Sequence, residues 1–155
     1  MEPIDLTPLM SRRRLLGAGL SATAFAGAGL SAHSAETGFG QLTCHVLDTH
    51  GGRPGAGMRV DLSMLDNGAW KLVRSATTVD TGRTAEPLMR GDTMQTGQFM
   101  LEFFHAEYFK ARANLPSQPF YDRVVHFFNV PSASTRYHIT LVTAPWGYTT
   151  FRWKE

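Results

Sequence analysis

The stretch Leu42-Thr43-Cys44-His45-Val46-Leu47-Asp48-Thr49-His50-Gly51-Gly52-Arg53-Pro54-Gly55-Ala56-Gly57-Met58-Arg59-Val60-Asp61-Leu62 decides how the rest of the chain is read. Residues on a strand alternate between two faces, so Leu42, Cys44 and Val46 form one row and Thr43, His45 and Leu47 the other. The Gly/Pro-rich segment that follows is a turn. Beyond it Met58, Val60, Leu62 and Met64 alternate with Arg59, Asp61 and Ser63. That pattern predicts a second strand with one buried face and one wet face. His45 thus leaves the core-facing row and is available for chemistry, although a single strand histidine taken alone marks only a surface or structural position.

Working outward, Asp66-Asn67-Gly68 and Asp80-Thr81-Gly82-Arg83 are turn signals on either side of a strand over 70–78. Arg83 directly follows the turn glycine, which puts it at a strand end or in a loop. Phe99, Leu101 and Phe103 alternate with Met100 and Glu102 and predict a strand over 98–104. Residues 105–112 are good helix formers without a breaker, enough for about two turns ending before Asn114 and Pro116. His105 at the start of that helix reads as structural or solvated. Residues 120–130, dense in Val and Phe, predict a strand in which a structural His126 shares a face with Val124 and Phe128. Residues 137–143 predict another, with Ile139 and Leu141 on one face and His138, Thr140 and Val142 on the other. A last short strand over 148–153 follows the break at Pro145-Trp146-Gly147. Seven or eight short strands separated by turns, with one short helix, argue an all-β sandwich.

The 155 residues are 43% hydrophobic and 18% charged, which suits one globular domain with its own core. A net charge of only +2 gives no electrostatic case for binding nucleic acid. Cys44 is the single cysteine, so no internal disulfide forms, no Cys/His cluster has zinc spacing, and the thiol reads as a small core residue. The start of the chain differs from the rest. Ser11-Arg12-Arg13-Arg14-Leu15-Leu16 opens an Ala/Gly-rich apolar run that ends at Leu30, and Ala32-His33-Ser34 offers a small-residue exit. A basic start, an apolar run shorter than the ~20 residues that span a bilayer, and such an exit make a secretory signal. Its Ser-Arg-Arg-x-Leu-Leu form resembles the twin-arginine signal of bacteria. Residues 1–34 are therefore expected to be a twin-arginine-type signal peptide and 35–155 the folded domain, exported to the periplasm without stable membrane association once the signal is cut.

By parity alone His45 and His138 both leave the core-facing rows of their strands. One lies early in the domain and one late, as expected of side chains joined by long-range strand pairing. With Arg83 they make two imidazoles and a guanidinium. A histidine near its ordinary pKa of ~6.5 accepts a proton from water and a second donates one. Arginine holds a planar anion or a developing oxyanion. The set suits acid–base chemistry on a small anionic or oxyanion-forming substrate.

Residues 42–57 resemble the opening motif of the transthyretin-like 5-hydroxyisourate hydrolases. Asp80-Thr-Gly-Arg-Thr-Ala-Glu-Pro-Leu88 is similar to their central Asp-Gly-Arg segment. Tyr137-His-Ile-Thr-Leu and Ala144-Pro-Trp-Gly-Tyr-Thr-Thr150 resemble their closing segments. The resemblance runs in order over nearly all of Leu42 to Arg152. It implies a transthyretin-like two-sheet β-sandwich with one short helix, assembled as a homotetramer, a dimer of dimers, with sites in a channel at the dimer–dimer interface. It also implies hydrolysis of 5-hydroxyisourate, the unstable product of urate oxidation, to 2-oxo-4-hydroxy-4-carboxy-5-ureidoimidazoline, without cofactor or metal. Carried over by motif, the catalytic residues fall on His45, Arg83 and His138. The two histidines would position and deprotonate water and protonate the leaving ring nitrogen. Arg83 would hold the purine-derived ring, with Phe151 and Arg152 as further substrate-binding residues.

The tail departs from the family. Where the relatives close on Tyr-Arg-Gly-Ser, this chain closes on Phe151-Arg152-Trp153-Lys154-Glu155. Arg152 is kept, Phe151 lacks the phenol oxygen, Trp153 replaces glycine, Lys154 replaces serine, and one residue is added. Two further readings follow from that change. One is a non-catalytic transthyretin-fold periplasmic protein that binds a small aromatic ligand. The other is an interaction module whose channel is closed by Trp153.

Overall fold

The computed structural model describes residues 39–153. The expected signal peptide over 1–34, and Lys154 and Glu155, lie outside them. In chain order the strands are β1 (Gln41–Asp48), β2 (Arg53–Pro54), β3 (Arg59–Asp66), β4 (Ala69–Thr77), β5 (Met89–Arg90), β6 (Gly97–Phe103), β7 (Val124–Val130), β8 (Arg136–Ala144) and β9 (Gly147–Trp153). One α-helix, α1 (His105–Lys110), follows β6. The described residues fold as a two-sheet β-sandwich.

Strand β1 alternates strictly between half-buried and buried residues, as its sequence demands. Its row Leu42, Cys44 and Val46 is fully buried. It runs parallel to β8, and β8 continues antiparallel into β9, so one sheet has the order β2-β1-β8-β9 with β5 paired to the start of β1. The second sheet has the order β4-β3-β6-β7. The core lies between them. Leu42, Cys44, Val46, Ile139 and Leu141 from the first sheet meet Val60, Leu62, Phe99, Leu101 and Phe103 from the second. Burial pushes the Cys44 thiol up to about 12, offset in part by the nearby Arg83 cation and by a backbone hydrogen bond from Thr84. Cys44 is a core residue and is not reactive.

At one side of the sandwich the edge strands β7 and β9 approach each other. His126 faces inward with Val124 and Phe128, and its Nδ1 lies 2.7 Å from the Thr150 hydroxyl of β9. That contact gives His126 its structural role. His105 is structural too, and not solvated. It is buried, with its ring nitrogens 3.2 Å and 3.0 Å from the carbonyl oxygens of Tyr121 and Ala144.

Three expectations are corrected. The helix ends at Lys110, two residues early, where the Arg112 N–H closes a tighter i→i−3 bond on the Phe109 carbonyl. The Arg112 guanidinium then bonds the Tyr108 carbonyl at 2.7 Å, satisfying one of the acceptors a helix end leaves open. The strand expected over 120–130 begins only at Val124. Residues 121 and 122 instead give their carbonyls to the start of α1, through His105 and the Ala106 N–H. Finally, the outward row of β3 is wet only at Arg59, which is exposed, while Asp61 and Ser63 are buried. Strand β3 is central in its sheet, and Asp61 accepts from the Arg59 guanidinium at 2.7 Å and from the Ser75 hydroxyl at 2.5 Å.

Candidate active site

The parallel register of β1 and β8 sets Thr43 opposite His138 and His45 opposite Thr140. Both histidines point away from the core, on the outward face of the same two central strands, with ring centroids 6.2 Å apart. The pairing of the first and eighth strands thus joins two segments more than ninety residues apart.

Arg83 arrives by a different route. The turn over 79–82 closes with Gly82 N–H on the Val79 carbonyl at 2.7 Å. Gly82 has φ +75°, and a Cβ built there would sit 2.4 Å from the Val46 carbonyl oxygen. Only glycine fits such a close approach in the left-handed region. The turn can then lie against β1: Val46 N–H donates to the Gly82 carbonyl at 2.8 Å, and His45 and Arg83 form an isolated bridge. The Arg83 Nη1 comes 3.4 Å from His138 Nε2 and 3.5 Å from its Nδ1. The three residues singled out by sequence, His45, Arg83 and His138, are therefore brought together.

The hydrogen bonds around the rings set their chemistry. His45 Nε2 lies 3.1 Å from the Thr81 carbonyl oxygen. A carbonyl only accepts, so Nε2 carries the proton and Nδ1 keeps its lone pair. Desolvation, and the Arg83 cation next to it, lower the His45 pKa below its ordinary 6.5, opposed by the bond to Thr81. His45 is thus a neutral base at pH 7. The Thr43 hydroxyl lies 2.8 Å from His138 Nδ1 and 3.4 Å from the Tyr137 carbonyl. Thr43 donates to the carbonyl and accepts from Nδ1–H, which puts the lone pair of His138 at Nε2, with the Arg83 guanidinium about equally near both ring nitrogens. Thr43 was not singled out by sequence, but it shares the outward row of β1 with His45, and that parity was the signal that marks it.

His45, Leu47, Arg83, His138, Thr140, Phe151 and Trp153 line a cavity of about 270 Å³. The divergent tail continues in register as β9, with Phe151 opposite Thr140 and Trp153 opposite His138. Arg152, expected at the site, is not brought to it. The strand period puts it on the other face from Phe151 and Trp153, opposite Ile139, with its guanidinium 4.6 Å from the centroid of the Tyr137 ring.

Known proteins share both the pattern and the frame. The sequence pattern of the HIUase/Transthyretin family matches residues 42–153. The 5-hydroxyisourate hydrolase 2 of Rhizobium meliloti is 40% identical over 114 residues, which are 73% of this chain and 95% of that protein. The crystal structure of an (S)-allantoin synthase superposes with a TM-score of 0.70 at 35% identity, covering 75% of this chain and 44% of that one. Sea bream transthyretin, solved in complex with thyroxine, superposes with a TM-score of 0.67 at 22% identity, covering 74% and 96%, a likeness of fold alone. With the family pattern spanning both sheets and all three converging residues, the chain belongs to the HIUase/Transthyretin family.

Proposed function

We propose that this protein hydrolyses 5-hydroxyisourate, the reaction named for its Rhizobium relative, as a step of urate degradation. One observation carries the reading: His45, Arg83 and His138, from three distant segments, meet in one small cavity on the outward face of β1 and β8. The chemistry follows from their states. Neutral His45 takes a proton from water as the water oxygen bonds to the ring amide carbonyl carbon. His138, anchored by Thr43, positions that water together with His45, and Arg83 holds the carbonyl oxygen as negative charge develops on it. The carbon–nitrogen bond then breaks, the imidazolium returns its proton to the leaving ring nitrogen, and the new carboxyl group loses its remaining proton to solvent as a carboxylate. No cofactor enters this scheme.

Two further parts of the reading concern the whole protein. The Ser11-Arg12-Arg13-Arg14-Leu15-Leu16 segment supports export to the periplasm by a twin-arginine-type signal, with 35–155 as the working domain. A homotetramer is supported by the edges of the sandwich. Strands β7 and β9 end their sheets on the same side, and Tyr148, Phe127 and Phe151 on them are exposed. Such edges invite pairing with a second copy. The changed tail favours a second reading, a non-catalytic binder of a small aromatic ligand, because it adds aromatic surface to the cavity.

The test generates 5-hydroxyisourate in the cuvette from urate and a urate oxidase, and follows its ultraviolet decay with and without the purified protein. Acceleration in proportion to protein concentration supports the hydrolase. Decay at the uncatalysed rate, with folded protein, contradicts it and leaves the binder.

A further inference from the structure

The cavity is an open depression on the outward face of one sheet, where His45, Arg83 and His138 lie beside the β9 residues Phe151 and Trp153. Residues directly opposite on neighbouring antiparallel strands have Cβ atoms ~4.5–5.5 Å apart, so the indole of Trp153 starts one strand spacing from the His138 ring. Trp153 is 59% exposed, a large apolar surface left in water at the place where the relatives by resemblance carry glycine. The cavity volume of about 270 Å³ sits just below the ~300–1,000 Å³ of most ligand pockets, room for one small heterocycle.

We propose that Trp153 is a substrate-binding residue of this chain: its indole stacks on the flat ring of a purine-derived ligand whose polar edge is held by Arg83 and the two imidazoles. Resting on the hydrolase reading for its substrate, the proposal names a contact that the tail change has added. Stacking on an aromatic face tolerates many flat heterocycles, because each has a π-surface, while the polar side chains beside it select among them by hydrogen bonds. This gives the divergent tail a role in affinity rather than in obstruction. It acts on binding and not on the proton transfers, since neither the indole N–H nor its ring takes a proton at neutral pH.

The test compares the full chain with Trp153→Gly and Trp153→Phe. For 5-hydroxyisourate, Trp153→Gly should raise KM about 10-fold with kcat within about threefold, and Trp153→Phe should recover most of the loss. Xanthine serves as a stable planar probe. It should quench tryptophan emission saturably in the wild type and not in Trp153→Phe, where Trp70 and Trp146 remain. An unchanged or lower KM in Trp153→Gly overturns the proposal and makes the indole a bystander or an obstruction. If the wild type itself does not hydrolyse 5-hydroxyisourate, the hydrolase reading fails, and the xanthine titration still decides: saturable quenching lost in Trp153→Phe supports stacking, and its absence in the wild type refutes it.

Discussion

The outward faces of the two sheets are built from the same kind of row and come to opposite ends. On β3 the row is Arg59, Asp61 and Ser63; on β1 it is Thr43, His45 and Leu47. In the first, the carboxylate of Asp61 is closed by Arg59 and Ser75, and the polar groups use one another up. In the second, each imidazole spends one nitrogen on an anchor, Thr81 or Thr43, and its ring lines the cavity. A polar row that satisfies itself is structure. A polar row that sets two imidazoles and a guanidinium along one cavity has chemistry to offer a substrate.

The comparison breaks most severely at Gly82. In Gly82→Ala the methyl group meets the Val46 carbonyl and the backbone is held at an unfavourable φ, a strain of about 1–3 kcal/mol. The turn must leave β1 and take Arg83 with it. Turnover should fall by about 100-fold or more, with a lower melting temperature, read by assay and thermal melt on one preparation. Unchanged turnover would mean that Arg83 does not depend on the turn.

Asp61→Ala should do the reverse. Losing its bonds to Arg59 and Ser75 should cost about 1–2 kcal/mol in a denaturant melt while kcat/KM stays within about twofold. A large loss of turnover would couple the two sheets in a way the comparison denies.

How much of this was legible in the sequence depended on whether a feature is local. The alternation of β1 and β8 is local, so the outward placement of His45 and His138 could be read from parity. Thr43 was equally legible by the same parity. That Arg83 sits against them was legible only through the resemblance of its Asp-Thr-Gly-Arg segment, because the local pattern does not record a backbone bridge between a turn and a strand far away in sequence. Arg152 shows a motif overruled by geometry: it follows the family tail in sequence, but the period of β9 turns it away from the cavity. The wet face expected for β3 failed at Asp61 and Ser63 because alternation tells inward from outward and does not tell whether long neighbours cover the outward row. The strand expected over 120–130 failed at its start because those carbonyls are needed by the helix, a demand no local pattern records.

The smallest expected effect is on pH. The His45 pKa is lowered by desolvation and by Arg83, so the ring stays neutral and competent as a base through pH 6.5. The acid limb of kcat/KM should lie below 6.5, and a limb centred at or above that value would contradict the assigned environment. His126 is lowered as well, by desolvation. Both rings bind fewer protons folded than unfolded, so stability should decline as pH falls below 6.5 and level off above it.

The central claim is that the open row on β1 and β8 is the reaction site, and the most direct measurement is turnover of 5-hydroxyisourate by His45→Asn and His138→Asn beside the wild type. Each variant should melt close to the wild-type temperature and lose about 10²- to 10⁴-fold in kcat. Near-normal turnover in both variants would contradict the claim and move the search for chemistry to another part of the molecule.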